Sequence, residues 1–199
     1  MCVMKFIMSV NADKQTLRRR MLALRHARSC AEQASLSDAI QMQFLRSGLL
    51  QHCQCLFVYI SVNDEIGTQK ILQEALRLKK TICVPRCISK GIMTAHRIMS
   101  TADLQEGKYG IPEPQEGCPQ IAPSAIDLIV APCLCTELTG YRLGYGGGYY
   151  DRFLAQAQHA TVCALCPESA IVPTVYPQSF DQKCSKIVTE REVLSVAQS

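Results

Sequence analysis

Apolar positions along this chain switch between helical spacing and short unbroken runs. From Lys14 to Arg28 there is neither Gly nor Pro, good helix formers fill the stretch, and Asn11 and Asp13 stand before it as cap candidates, which predicts a helix. At about 100° per residue, Leu17, Met21 and Leu24 share its apolar face, while Lys14, Arg18 and Arg25 form a cationic stripe along its edge. Residues 1–11 are expected to be a loose N-terminal extension. A second helix is predicted from Ser37 to Ser47, with Ile40, Phe44 and Leu45 inward and Gly48 as its stop. Cys55 to Ile60 is a short apolar, β-rich run and reads as a buried strand, followed by a polar turn from Ser61 to Gly67. Thr68 then opens a helix reaching Lys79, and a buried strand from Thr81 to Val84 ends at Pro85. A strand, helix and strand within about thirty residues mark a parallel crossover.

The alternation continues. Ile92 to Ile98 reads as a strand, and Tyr109 to Pro114 must be extended or turning because residues before proline avoid the helical region. Asp127 to Ala131 is the next buried strand, followed by a glycine-rich loop, a helix from Tyr149 to Gln158, and strands at Thr161 to Leu165 and Lys186 to Thr189. This order predicts a single α/β domain over residues 1–199, three-layered with a mostly parallel sheet.

Composition narrows the function classes. With 48% hydrophobic and 19% charged residues the chain is neither disordered nor fibrous, and no apolar run approaches a membrane span. A net charge of +4 is too small to argue for nucleic acid, but its placement matters: no acid lies between Asp13 and Glu32, where the basic residues cluster. That predicts a local anion site; the same stretch also admits a reading as an organellar transit peptide. Twelve cysteines would suggest disulfides in a secreted chain, yet no secretory pattern precedes them and most sit in apolar runs, so reduced thiols and a cytoplasmic location are expected. Zinc is disfavoured because there is no second Cys-x-x-Cys, and Cys163 and Cys166 should point to opposite faces of a strand.

The chemistry concentrates between Gly140 and Arg152, where five of thirteen residues are glycine. Set between a buried strand and a helix, such a loop lets bare amides approach an anion, and the helix dipole favours negative charge. It is neither a Walker loop, lacking Gly-Lys-Ser/Thr, nor the dinucleotide fingerprint, having Tyr149 at the third glycine position.

Arg142-Leu-Gly-Tyr-Gly-Gly-Gly-Tyr-Tyr-Asp-Arg152 resembles the signature of the 5-formyltetrahydrofolate cyclo-ligase family. The likeness extends to Lys14, Leu17, Arg18 and Arg25 on the first helix, the turn from Ser61 to Thr68, the Pro-x-Pro segment at Tyr109 to Pro114, and Val172-Pro173 with Asp181. The resemblance implies the fold of sugar-phosphate isomerases and CoA transferases. It also implies ATP- and Mg²⁺-dependent closure of 5-formyltetrahydrofolate to 5,10-methenyltetrahydrofolate; beside it, polyglutamylated forms of the substrate, a monomer, and no nucleic-acid or membrane partner are expected. On it, Lys14, Arg18 and Arg142, Leu143, Gly144, Tyr145, Gly146, Gly147, Gly148, Tyr149 and Tyr150 contact ATP. Ile60 and Glu65, with Tyr145 to Tyr149, hold the folate; Arg142, Tyr145 and Tyr149 serve the chemistry; and Asp151 and Asp181 hold magnesium.

One segment departs from the family pattern. Where the family shows Pro-Gly-x-Ala-Phe-Asp, this chain has Pro132-Cys-Leu-Cys-Thr-Glu137, so packing beneath the glycine loop is expected to change. That motivates an alternative, a non-catalytic folate- or nucleotide-binding relative with a regulatory role. An RNA-binding module using the arginine-rich helix is a further alternative, opposed by the lack of a basic stripe beyond that helix.

Overall fold

Helices precede the first strand in the computed structural model, which describes residues 2–197, with the side chains of residues 2–9, 11 and 109 outside that description. Helix α1 (Cys2–His26) runs through Asn11 and Asp13, so both cap candidates lie inside it. The extension expected over residues 1–11 is helical from Cys2 onward; Met1 lies outside the described residues. Helix α2 (Cys30–Arg46) starts well before Ser37 because Ser29 and Glu32 form a capping box: the Glu32 amide donates to Ser29 Oγ at 3.3 Å and the Ser29 amide to Glu32 Oε2 at 2.8 Å. Gly48, at φ 78°, turns the chain into a short α3 (Leu49–His52).

The strands in chain order are β1 (Cys55–Val58), β2 (Thr81–Ser89), β3 (Ile92–Ile98), β4 (Leu104–Glu106), β5 (Pro112–Pro114), β6 (Gln120–Ile121), β7 (Leu128–Ala131), β8 (Cys135–Thr136), β9 (Arg142–Leu143), β10 (Thr161–Leu165), β11 (Lys186–Val188) and β12 (Val193–Ser195). Helix α4 (Gln69–Arg77) joins β1 to β2, and α5 (Tyr149–Leu154) lies between β9 and β10. Eight strands form one sheet in the order β12-β11-β10-β7-β1-β2-β3-β6. Its centre, from β11 to β2, is parallel, and β12, β3 and β6 are antiparallel at the edges.

β2 continues past Pro85, contrary to the sequence expectation. Its parallel partner β1 is paired only as far as Cys83, so the missing proline N–H removes no bond on that side, and the outer half of β2 pairs with β3.

Strand alternation sends Phe57, Ile129 and Ala131 to a core beneath α1 and α5, where Leu17, Met21 and Phe153 pack. Leu56, Val58, Val130 and Leu165 face the other way, against Ile40, Phe44 and Ile71 of α2 and α4. The result is three layers, helices on both faces of the sheet. Cys163 and Cys166 fall into opposite cores. Leu24, expected inward, is 46% exposed because the buried face of α1 runs through Lys14, Leu17, Met21 and Arg25 and leaves Leu24 to one side. Among the described residues no helix is long and apolar enough to cross a membrane.

Candidate active site

Chain direction places the site. From β1 the chain moves to β2 on one side, and from β7 to β10 on the other, so a crevice opens between the carboxyl ends of β1 and β7. The segments that leave those two strands meet α1 there.

The cationic stripe of α1 meets first the 178–182 segment and then the glycine loop. Lys14, buried, forms an ion pair with Asp181, whose Oδ2 also accepts the Gln178 amide at 2.8 Å. One turn on, Arg18 Nε donates to the Gly144 carbonyl at 2.9 Å, and burial pulls its guanidinium below the ordinary value against the opposing pull of Asp181. Gly146, at φ +99°, lies against it: a Cβ there would stand 3.2 Å from Arg18 Cζ, so the loop's closest approach requires glycine. Arg25, only 5% exposed, donates to the Tyr145 hydroxyl at 3.0 Å and to the Cys133 carbonyl at 2.8 Å.

From the other end of the loop, Arg142 donates to the Gln182 carbonyl at 2.8 Å and pairs with Asp151 at 3.1 Å. Asp151 Oδ1 also accepts the Gln182 amide at 3.2 Å, so both candidate metal carboxylates are tied to the 178–182 segment. Among the described residues no group of three or more His, Cys, Asp or Glu side chains surrounds a metal-sized space.

Glu65 occupies the turn after β1, where its Oε2 accepts the Val62 amide at 3.1 Å. Burial raises its pKa above the ordinary carboxylate range, partly opposed by that amide, by Arg25 and by Tyr145. The same burial and the Glu65 charge push Tyr145 up to about 12. Glu65 and Arg25 line a cavity of about 500 Å³ between the end of α1, the start of α2 and the 61–69 turn. Ile60 borders the strand end and packs on the α2 side. The folate-side and nucleotide-side candidates therefore converge through α1 and Tyr145.

A family model described as the 5-formyltetrahydrofolate cyclo-ligase family matches residues 10–190. The chain belongs to the 5-formyltetrahydrofolate cyclo-ligase family. The 5-formyltetrahydrofolate cyclo-ligase of Mus musculus is 26% identical over 194 residues, which cover 92% of this chain and 96% of that one. A probable 5-formyltetrahydrofolate cyclo-ligase of Caenorhabditis elegans is 33% identical over 158 residues, covering 74% and 75%. The NMR structure of Aquifex aeolicus 5,10-methenyltetrahydrofolate synthetase matches with a TM-score of 0.82 at 26% identity and 94% coverage of both chains.

In this cyclo-ligase the departing segment Pro132–Glu137 is well packed. Cys135 and Thr136 are fully buried, and Thr136 Oγ1 donates to the Tyr141 carbonyl at 2.9 Å. Glu137 bonds the Thr139 hydroxyl through one oxygen and accepts the buried Val175 amide at 2.8 Å through the other. The longer glutamate thus joins the turn before the glycine loop to the 172–176 segment. Glu137→Ala strands the Val175 amide without its acceptor and is expected to lower stability by about 1–3 kcal/mol; urea unfolding checks it, and an unchanged midpoint would refute the tether.

Sequence reasoning did not single out Gln178, Gln182 or Arg152 as parts of this site. Arg152 donates to the carbonyls of Gly147 at 3.1 Å and Gly91 at 3.3 Å, holding the loop against the β2–β3 turn. Its position just inside a helix start carries no signal for such a reach.

Proposed function

We propose that this cyclo-ligase converts 5-formyltetrahydrofolate and ATP to 5,10-methenyltetrahydrofolate, ADP and phosphate. The observation that carries the reading is the joint anchoring of the glycine loop and the Glu65 turn by one helix, through Arg18 to Gly144 and Arg25 to Tyr145 on the loop and His26, 3.2 Å from Asp64, on the turn. A formyl amide oxygen is a poor leaving group; esterified by the γ-phosphoryl group of ATP, it leaves as phosphate. N10 then attacks the formyl carbon, the C–O bond breaks with its electron pair going to phosphate, and the N10 proton passes to solvent. Lys14, Arg18 and Arg142 supply positive charge to the triphosphate, and the loop amides donate to its oxygens at close range. Glu65 accepts hydrogen bonds from the donor edge of the pterin and fixes its orientation.

Mg²⁺ carried by a nucleotide takes one or two protein carboxylates, and Asp151 with Asp181, both tied to the 178–182 segment, offers hard oxygen donors of that kind. Bound there, it would neutralise phosphate charge. Polyglutamylated forms as substrates and a monomer belong to the same reading, and the small net charge of +4 supports action without nucleic acid. Reduced thiols and arginines folded into the site support a cytoplasmic location over a transit segment.

The decisive experiment follows the ultraviolet absorbance of the methenyl product with ATP, Mg²⁺ and 5-formyltetrahydrofolate. Absorbance that rises only when all three are present supports the reading; none with folded protein refutes it and returns the regulatory alternative. Asp151→Asn keeps size but loses the charge that pairs with Arg142 and suits a hard cation. Turnover is expected to fall about tenfold or more, on the scale of one lost charge-assisted contact, and to recover in part with excess Mg²⁺. Full activity at low Mg²⁺ would remove Asp151 from the metal role.

A further inference from the structure

The Tyr150 hydroxyl is buried and, among the described residues, has no hydrogen-bond partner. An unpaired buried phenol is costly, and native proteins keep few of them. The ring itself is firmly set: Phe57 stands 6.1 Å away, tilted by 35°, and the Arg142 guanidinium lies 5.9 Å from the ring centroid. Tyr150 packs against both cores, one on each face of the sheet. A single side chain reaches both only by lying across the end of the sheet, at the crevice over β1.

Tyr150 stands between two segments of the site, with Phe57 of β1, the strand that leads into the Glu65 turn, on one side and Arg142 of the glycine loop on the other. Glu65 belongs to the pterin side and Arg142 to the phosphate side. The oxygen that must lie between those sides is the one that joins them during the reaction, the formyl oxygen of the folate.

From the unpaired hydroxyl and its place between Arg142 and the strand that leads to Glu65, we infer that Tyr150 donates a hydrogen bond to the formyl oxygen, acting on the folate rather than on ATP. This rests on the proposed reaction. The hydroxyl serves as a hydrogen-bond donor and keeps its proton throughout. The bond orients the oxygen towards the γ-phosphoryl group, and after transfer it remains on the oxygen that departs with phosphate.

Tyr150→Phe removes one oxygen and leaves the packing intact. Titration calorimetry compares 5-formyltetrahydrofolate with 5-methyltetrahydrofolate, which has the same pterin and no formyl oxygen. The variant is expected to bind the formyl compound about tenfold more weakly and the methyl compound as the wild type does. Its kcat should fall roughly ten- to a hundred-fold, as for one donor lost at a reacting oxygen, with KM for ATP within about twofold. The melting temperature should hold or rise, since an unpaired polar group leaves the interior.

Equal weakening for both folates would move the hydroxyl to the pterin and overturn the inference. So would unchanged binding and turnover, a rise in KM for ATP alone, or a lower melting temperature, which would reveal a partner within the fold. Wild-type protein that binds the formyl compound yet forms no methenyl product refutes the proposed reaction, while the formyl-to-methyl comparison still decides the role of Tyr150.

Discussion

Glu65→Gln is expected to weaken 5-formyltetrahydrofolate binding by roughly ten- to a hundred-fold while ATP binding stays within about twofold. The amide replaces a charged acceptor with a weaker one that also presents donors to a donor-rich pterin edge. A charge-assisted bond contributes about 1.5–3 kcal/mol, and that range converts to the stated loss of affinity. The raised pKa of Glu65 adds a pH signature. The folded protein holds this proton more tightly than the unfolded chain does. The stability gained is therefore complete below the ordinary carboxylate pKa and is lost as pH rises through the raised value. Ionised Glu65 is a burden on the empty fold and an asset to the bound one. Folate affinity should accordingly strengthen as pH rises through the Glu65 pKa. Glu65→Gln should abolish that dependence and be at least as stable at neutral pH. Calorimetric titration across pH with thermal melts measures both; equal losses for ATP and folate would point to general misfolding instead.

Arg18→Ala is expected to act in the opposite direction, raising KM for ATP by roughly ten- to a hundred-fold while leaving folate affinity within about twofold. The guanidinium does two things at once. It fixes the Gly144 carbonyl at 2.9 Å and keeps a cation, part-buried and therefore weakly screened, beside the loop amides. Steady-state kinetics with each substrate varied in turn separates the two effects. An unchanged KM for ATP would detach α1 from the nucleotide.

How much of this the sequence carried depended on the range of the interaction involved. The β1-α4-β2 crossover was legible because periodicity and punctuation are local, and the stripe of Lys14, Arg18 and Arg25 followed from helical spacing alone. The true start of α2 was also locally encoded, in Ser29 and Glu32, although the apolar pattern drew the boundary later. Pro85 misled because its effect depends on how far the neighbouring strand runs, which only the assembled sheet decides. The metal candidates Asp151 and Asp181 came from family likeness. Their ties to Arg142 and Lys14, and the tether from Glu137 to Val175, join residues too far apart for any local pattern. The unpaired Tyr150 hydroxyl is further still from legibility, since an absence of partners exists only once the surroundings are in place.

Helix α1 also acts as a ruler. Arg18 holds the Gly144 carbonyl and Arg25 the hydroxyl of the neighbouring Tyr145, so the reach of that ring from the glycine loop is copied from two turns of helix, about 10 Å. One residue inserted between them would swing Arg25 through about 100° and carry it off the crevice, although composition and charge would barely change. Length before Lys14 is free of that constraint. Family members should therefore differ readily in how far α1 extends towards the N-terminus and hardly at all in the spacing of its cations.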